Sequence, residues 1–199
     1  MAFTNPNNIH RVFPQLETEH LLLREVSPED CAAIFQNYTA PQVTEHFMEP
    51  LTDLQQAAAI VEEYIAYAQT GAGIVWAITL KGSPVLVGTC GYEVLSPYDQ
   101  RGEIGYDLAR AYWGQGIMRE ALQAVIVYSF AQLDLNRIQA YVLAENARSI
   151  GLLRRLHFET EGVLREYRRF KGRFSDWVLM SLLKKDWQPE RRESHDHRT

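Results

Sequence analysis

Apolar residues fall in short clusters along this chain, and the period changes from one cluster to the next. Residues 21–26 form a short apolar-rich run. Ser27-Pro28-Glu29-Asp30 follows at once, with an N-cap serine, a proline suited to the first helical position and two acids for a first turn, so a strand is predicted to lead into a helix. Thr52 or Asp53 offers a second cap before 57–68. There Ile60, Tyr64, Ile65 and Tyr67/Ala68 follow an approximate helical stripe that Gly71 and Gly73 end. Beyond those glycines, 74–80, a Lys81-Gly82-Ser83-Pro84 turn and 85–95 predict an antiparallel hairpin. A strand over 103–108 follows the loop around Pro97 and Asp99, and 121–133 is apolar enough to be a helix buried on most sides. Residues 137–143 read as a strand with Ile138, Ala140 and Val142 on one side, 149–156 as a helix, and 158–164 and 177–183 as closing strands.

Strands and helices interleave without a repeat or an internal linker, which predicts one α/β domain with a mixed sheet. Residues 1–15 carry turn formers (Asn5-Pro6-Asn7-Asn8, Pro14) and read as an arm, 16–187 as the domain, and 188–199 as a polar, frayed tail. The 199 residues are 46% hydrophobic and 23% charged, ordinary globular usage that excludes a disordered or collagenous chain. A net charge of −5 argues against nucleic acid as a direct partner. Apolar stretches such as Ile74 to Ile78 fall far short of the roughly 20 residues that cross a bilayer, and residues 1–11 do not resemble a secretory signal, so no membrane partner and a cytoplasmic location are expected. Cys31 and Cys90 belong to no Cys-x-x-Cys pair and read as reduced, buried thiols. The six histidines, two of them (His195 and His197) in the tail, show no metal spacing, so no metal is expected.

The chemistry concentrates between Glu103 and Leu122. A strand there runs into a loop with Gly114 and Gly116, one residue apart, and then directly into a strong helix. Glycines remove side-chain bulk, and the exposed N–H groups and dipole of a helix start favour an anion, so a diphosphate is the natural ligand. The structural alternative is that the glycines only shape a tight turn. A Walker A loop is excluded, because no Gly-Lys-Ser/Thr tripeptide occurs. A dinucleotide fingerprint needs a third glycine where Arg119 stands, although Asp134 lies at about the distance of a ribose-binding acid.

Trp113-Gly114-Gln115-Gly116-Ile117-Met118, with Glu120-Ala121-Leu122 behind it, resembles the acetyl-CoA-binding loop of the GCN5-related N-acetyltransferases, the GNAT superfamily, in its RimJ/RimL branch of ribosomal-protein N-terminal alanine/serine acetyltransferases. Asn146-Ala-Arg-Ser149, Leu153 and Arg155-Leu-His-Phe158-Glu-Thr-Glu-Gly162 resemble that branch's Asn-x-x-Ser helix and closing strand, and residues 16–24 its opening strand. Trp113 and Met118 depart from the superfamily's loop pattern in the way this branch does. His157 stands where many members have glycine. Leu153 stands where other branches carry a proton-donating tyrosine, which passes that role to Ser149.

The resemblance implies a single-domain GNAT (acyl-CoA N-acyltransferase) fold, with a mixed, mostly antiparallel sheet flanked by helices. It also implies acetyl-CoA as co-substrate and a primary amine as acceptor, either a protein N-terminal α-amine or a small amine such as a polyamine or amino-sugar. A non-catalytic acyl-CoA-binding module is the alternative, and a homodimer is compatible with the family. The expected cofactor contacts are Trp113, Gly114, Gln115, Gly116, Ile117, Met118 and Arg119 around the diphosphate, the main chain of Leu108 and Ala109 beside the pantetheine, and Asn146 and Ser149 near the sulfur. Glu103 is the first candidate base, on a strand whose Ile104 and Tyr106 point to the other face, and Glu166 the second. Each has a structural alternative: helix capping for Asn146, and a solvated strand start for Glu103. The basic run Arg165, Arg168, Arg169, Lys171 and Arg173 reads as a solvated hairpin.

Overall fold

Alternating and continuously apolar runs become strands of one eight-stranded sheet, ordered β1-β2-β3-β4-β5-β6-β8-β7. The strands are β1 (Leu16–Glu17), β2 (Leu21–Glu25), β3 (Ile74–Leu80), β4 (Leu86–Ser96), β5 (Arg101–Leu108), β6 (Arg137–Leu143), β7 (Glu159–Phe170) and β8 (Arg173–Leu183). The helices are α1 (Cys31–Tyr38), α2 (Pro41–Thr44), α3 (Leu54–Thr70), α4 (Ile117–Ala131) and α5 (Ala147–Arg155). These come from a computed structural model that describes residues 13–187. Most of the arm predicted over 1–15, the tail predicted over 188–199, and His195 and His197 with it lie outside the described residues. Just inside that limit, Phe13 packs edge-on against Trp76, whose indole N–H donates to the Pro14 carbonyl at 2.7 Å.

Every neighbouring pair of strands is antiparallel except β5 and β6. The sheet is mixed and mostly antiparallel, as expected. β3 is apolar at every position but Thr79 because both its faces are covered. Trp76 and Ile78 join α4 and α5 in one core with Leu122, Ile126 and Leu153, while Ala77 joins α1 to α3 in another with Ile34, Tyr38 and Val61. The two layers are thus α4 and α5 on one face of the sheet and α1 to α3 on the other. No helix among the described residues is long and apolar enough to cross a membrane.

Local signals hold where they rest on caps. Asp53, not Thr52, caps α3 by accepting from Gln56 N–H, and Gly71 ends it in the left-handed region at φ 75°. Where periodicity carried the prediction alone, ends move. α4 begins at Ile117 instead of 121, and α5 at Ala147 instead of 149. The Glu161-Gly162 segment is a bulge within β7, because β8 pairs on through it, and the basic run occupies the long β7–β8 hairpin. α2 was not predicted, since four residues are too few to show a period. Cys90 is buried as expected, but Cys31 is only half-buried; both are free.

The end of α5 explains one departure noted in the sequence. His157 N–H bonds the Arg154 carbonyl and Phe158 N–H that of Leu153, both at 3.0 Å, a Schellman closure that puts His157 at φ 66°. Glycine takes that conformation freely and histidine at a cost of about 1–2 kcal/mol. His157→Gly is therefore expected to raise the thermal midpoint by several degrees in scanning calorimetry, without altering any groove residue.

Candidate active site

β5 and β6 pair only at Arg101↔Arg137, Gly102↔Ile138 and Glu103↔Gln139. Beyond that point each keeps its outer neighbour, β5 to β4 as far as Leu108 and β6 to β8 as far as Leu143, so the two strands splay. The opening is the mouth of a groove of about 590 Å³, whose lining includes residues 104–108 of β5, 140–143 of β6, the loop before α4, the start of α5, and Gln42, Val43, His46 and Phe47 from α2 and the turn after it.

At the upper end, Gly114 and Gly116 both adopt left-handed backbone, φ 78° and 81°, and Gly116 is the N-cap of α4. A Cβ at either would meet nothing within 4 Å among the described residues. The conformation, not protein packing, demands glycine, and the space before the helix start is open, a cradle that fits a diphosphate. Trp113 fixes the loop. Its indole N–H donates to the Leu108 carbonyl at 2.7 Å, and the Arg110 and Arg148 guanidinium groups pack on its ring, at 4.6 and 3.9 Å from the centroid. Ile117, Met118 and Arg119 also line the groove. Gln115 turns away, its amide donating to the Ala111 carbonyl at 2.9 Å.

The two main-chain positions expected beside the cofactor arm separate. Ala109 N–H is already bonded to the Val87 carbonyl at 2.8 Å, so it is not offered to the groove. Hydrogen bonding alternates along an antiparallel ladder, which turns the main chain of Leu108 and Tyr106 toward the splayed edge instead; the Leu108 carbonyl is taken by Trp113, so Leu108 offers its N–H.

Asn146 and Ser149 come together at the start of α5, and both line the groove. The Asn146 side-chain oxygen accepts from Ser149 N–H at 3.0 Å, which is helix capping. Ser149 Oγ lies 2.7 Å from the Tyr106 hydroxyl. Burial pushes the Tyr106 phenol up to about 12, so it keeps its proton at neutral pH.

The opposite face of β5 carries Glu103, Gly105 and Asp107. Ile104 and Tyr106 point toward α4 and α5, which leaves Glu103 on the other side, as the alternation predicts. Its side chain is 30% exposed and lies 4.0 Å from Arg168, whose guanidinium packs on Tyr141, Tyr167 and Trp177. Glu166 is not part of the groove: it sits on an exposed bulge of β7 at φ 51°, its N–H donating to Asp176. Asp107, which sequence reasoning passed over, is a groove residue. Its Oδ2 accepts from the hydroxyls of Tyr38, at 2.8 Å, and Thr89, while burial, opposed by those two bonds and by the Thr89 main chain, pushes its carboxyl up to about 6. No cluster of three or more metal-ligating side chains occurs among the described residues.

A family described as acetyltransferase (GNAT) domain matches residues 20–159. The chain is 40% identical over 173 residues to Uncharacterized N-acetyltransferase p20 of Bacillus licheniformis, spanning 86% of this chain and 97% of that protein. It is also 40% identical over 88 residues, 44% of this chain and 45% of the other, to ribosomal protein uS5-alanine N-acetyltransferase of Escherichia coli (strain K12). In fold it is similar to RimL, a ribosomal L7/L12 alpha-N-protein acetyltransferase solved with coenzyme A, with a TM-score of 0.80 at 21% identity over 87% of this chain and 100% of that one.

Proposed function

Because the chain belongs to the acetyltransferase (GNAT) domain family, an acetyl-CoA-dependent N-acetyltransferase family, we propose that it acetylates the α-amine of a protein N-terminus in the cytoplasm, within a ternary complex. The observation that carries this reading is the continuous groove from the left-handed glycines at the start of α4, down the splayed edge of β5, to Gly105 and Asp107, with Glu103 outside its lining but on the same face, one residue before that lining begins. The E. coli relative named for uS5-alanine points to the acceptor class.

The amides from Gly114 to Arg119 would hold the diphosphate, with the helix dipole behind them. The main chain of Leu108 and Tyr106 would pair with the pantetheine amides. Acetyl-CoA supplies a thioester whose carbonyl carbon accepts the amine nitrogen as the C–S bond breaks. Glu103 takes one proton from the incoming ammonium, directly or through one water, and the second proton that the nitrogen loses on becoming an amide ends on the departing sulfur, which leaves as the free thiol. Ser149 Oγ–H donates to the departing sulfur, and Tyr106 O–H backs it by donating to Ser149 Oγ.

Tyr106 is then a positioning residue, with a measurable signature. Tyr106→Phe is expected to lower kcat by about 2- to 10-fold, one hydrogen bond of about 0.5–1.5 kcal/mol, with both KM values unchanged. On a Ser149→Ala background it is expected to cost nothing further, whereas a merely structural role predicts additive losses. The function itself is tested by a mass-spectrometric acetylation screen over alanine- and serine-initiated peptides beside spermidine and glucosamine. Transfer to peptide N-termini supports the reading, and transfer only to the small amines overturns the acceptor class. Acetyl-CoA binding without any transfer would identify a binding module.

A further inference from the structure

β4 and β5 carry four glycines, and three of them answer to the protein's own packing. A Cβ at Gly88 would lie 2.3 Å from the Asp107 carbonyl, at Gly91 2.1 Å from the Ile74 carbonyl, and at Gly102 2.6 Å from the Tyr92 ring. Gly105 differs. It is exposed in the middle of a central strand, it is not among the positive-φ glycines, and a Cβ there meets nothing within 4 Å among the described residues. Glycine inside a strand is less stable than a residue with a side chain. The fold therefore gains nothing from the missing side chain, and the space it leaves opens into the groove that Gly105 lines.

That space lies between two carboxylates on the same face of β5. Strand geometry sets the Cα atoms of Glu103 and Asp107 about 13 Å apart, with Gly105 midway. Asp107 Oδ2 is occupied by Tyr38 and Thr89, but Oδ1 is buried and has no hydrogen-bond partner among the described residues. The residue is only 9% exposed, and yet it lines the groove. A buried carboxylate oxygen without a donor is costly, and a ligand N–H would satisfy it.

We propose that Gly105 and Asp107 form an ammonium subsite, the glycine as floor and the carboxylate as anchor, which receives the acceptor as a protonated primary amine before Glu103 takes its proton. The proposal rests on the reading of the groove as a transferase site and adds which residues receive the acceptor nitrogen. An ammonium with N–H donors and little bulk at nitrogen fits; a quaternary nitrogen offers Asp107 no donor.

Ethylammonium is the probe, because it tests the subsite whatever the natural acceptor. In 13C NMR of protein labelled at aspartate carboxyl carbons, the Asp107 signal, assigned by its absence from Asp107→Glu, is expected to shift on titration with ethylammonium and not with tetramethylammonium. Asp107 variants lose buried hydrogen bonds and so stability, and the decisive variant is therefore Gly105→Val. It is expected to melt no lower than wild type, to bind acetyl-CoA within about twofold of wild type in calorimetry, and to lose the ethylammonium shift. An unmoved Asp107 signal, an equal shift with tetramethylammonium, or a full response in Gly105→Val would overturn the subsite. A Gly105→Val protein that loses acetyl-CoA affinity would assign the space to the cofactor arm and overturn it too. Wild type that fails to bind acetyl-CoA at all would instead sink the underlying reading.

Discussion

Glu103→Gln is expected to lower turnover by about 10²- to 10⁴-fold, the range for loss of a general base, while acetyl-CoA affinity stays as in wild type. The two halves of that expectation come from one geometry. Glu103 sits at the last residue pair before β5 and β6 part, on the face of β5 turned away from Ile104 and Tyr106, one residue before the groove lining begins at Ile104, and it is no part of the glycine loop that would hold the diphosphate. Glutamine keeps the shape and loses only the proton-accepting charge. The ion pair to Arg168 at 4.0 Å is partly exposed on both sides and contributes about 0–1 kcal/mol at most. Arg168 keeps its packing on Tyr141, Tyr167 and Trp177, so the hairpin is expected to stay in place. Steady-state kinetics beside calorimetric titration reads both quantities. Unchanged turnover would remove Glu103 from the mechanism and leave Asp107, whose carboxyl is pushed up to about 6 by burial, as the group to test next.

What the sequence discloses and what it withholds divide along a physical line. The glycine loop is legible because left-handed backbone and a helix N-terminus leave a local signature, two glycines one residue apart at the end of a strand. The face of Glu103 is legible because strand alternation is strict. Asn146 and Ser149 are legible as a pair because an N-cap and its third residue meet in any helix start. The splay of β5 from β6 is not, since it is a relation between strands 36 residues apart, Arg101 against Arg137, and nothing local records where their pairing stops. Ala109 shows the same limit: its amide is committed to Val87, a residue of another strand. Asp107 reads in sequence as one more acid on a strand; only Tyr38 and Thr89, 69 and 18 residues away, make it a buried carboxylate. Gly105 carries its meaning in empty space, which a sequence cannot express.

Gly116→Val is expected to weaken acetyl-CoA binding by about 10²- to 10³-fold. Two effects add. A non-glycine residue held at φ 81° carries about 1–2 kcal/mol of strain, and a β-branched one more. Relieving that strain rotates the first amides of α4 out of the cradle, and each charge-assisted hydrogen bond lost to the diphosphate is worth about 1.5–3 kcal/mol. Contacts within the protein do not oppose the substitution, since a Cβ there has nothing within 4 Å among the described residues, so the loss is expected to appear in affinity far more than in folding. Gly71→Val supplies the control. Gly71 ends α3 at φ 75°, also with open space around its Cβ, and it does not line the groove. That variant takes the same kind of backbone strain with no cofactor amides to misplace, and is expected to lower the thermal midpoint while binding acetyl-CoA normally. Equal affinities for wild type and Gly116→Val, or equal losses in the two glycine variants, would show that the turn before α4 is only a turn, and that the anion is held elsewhere.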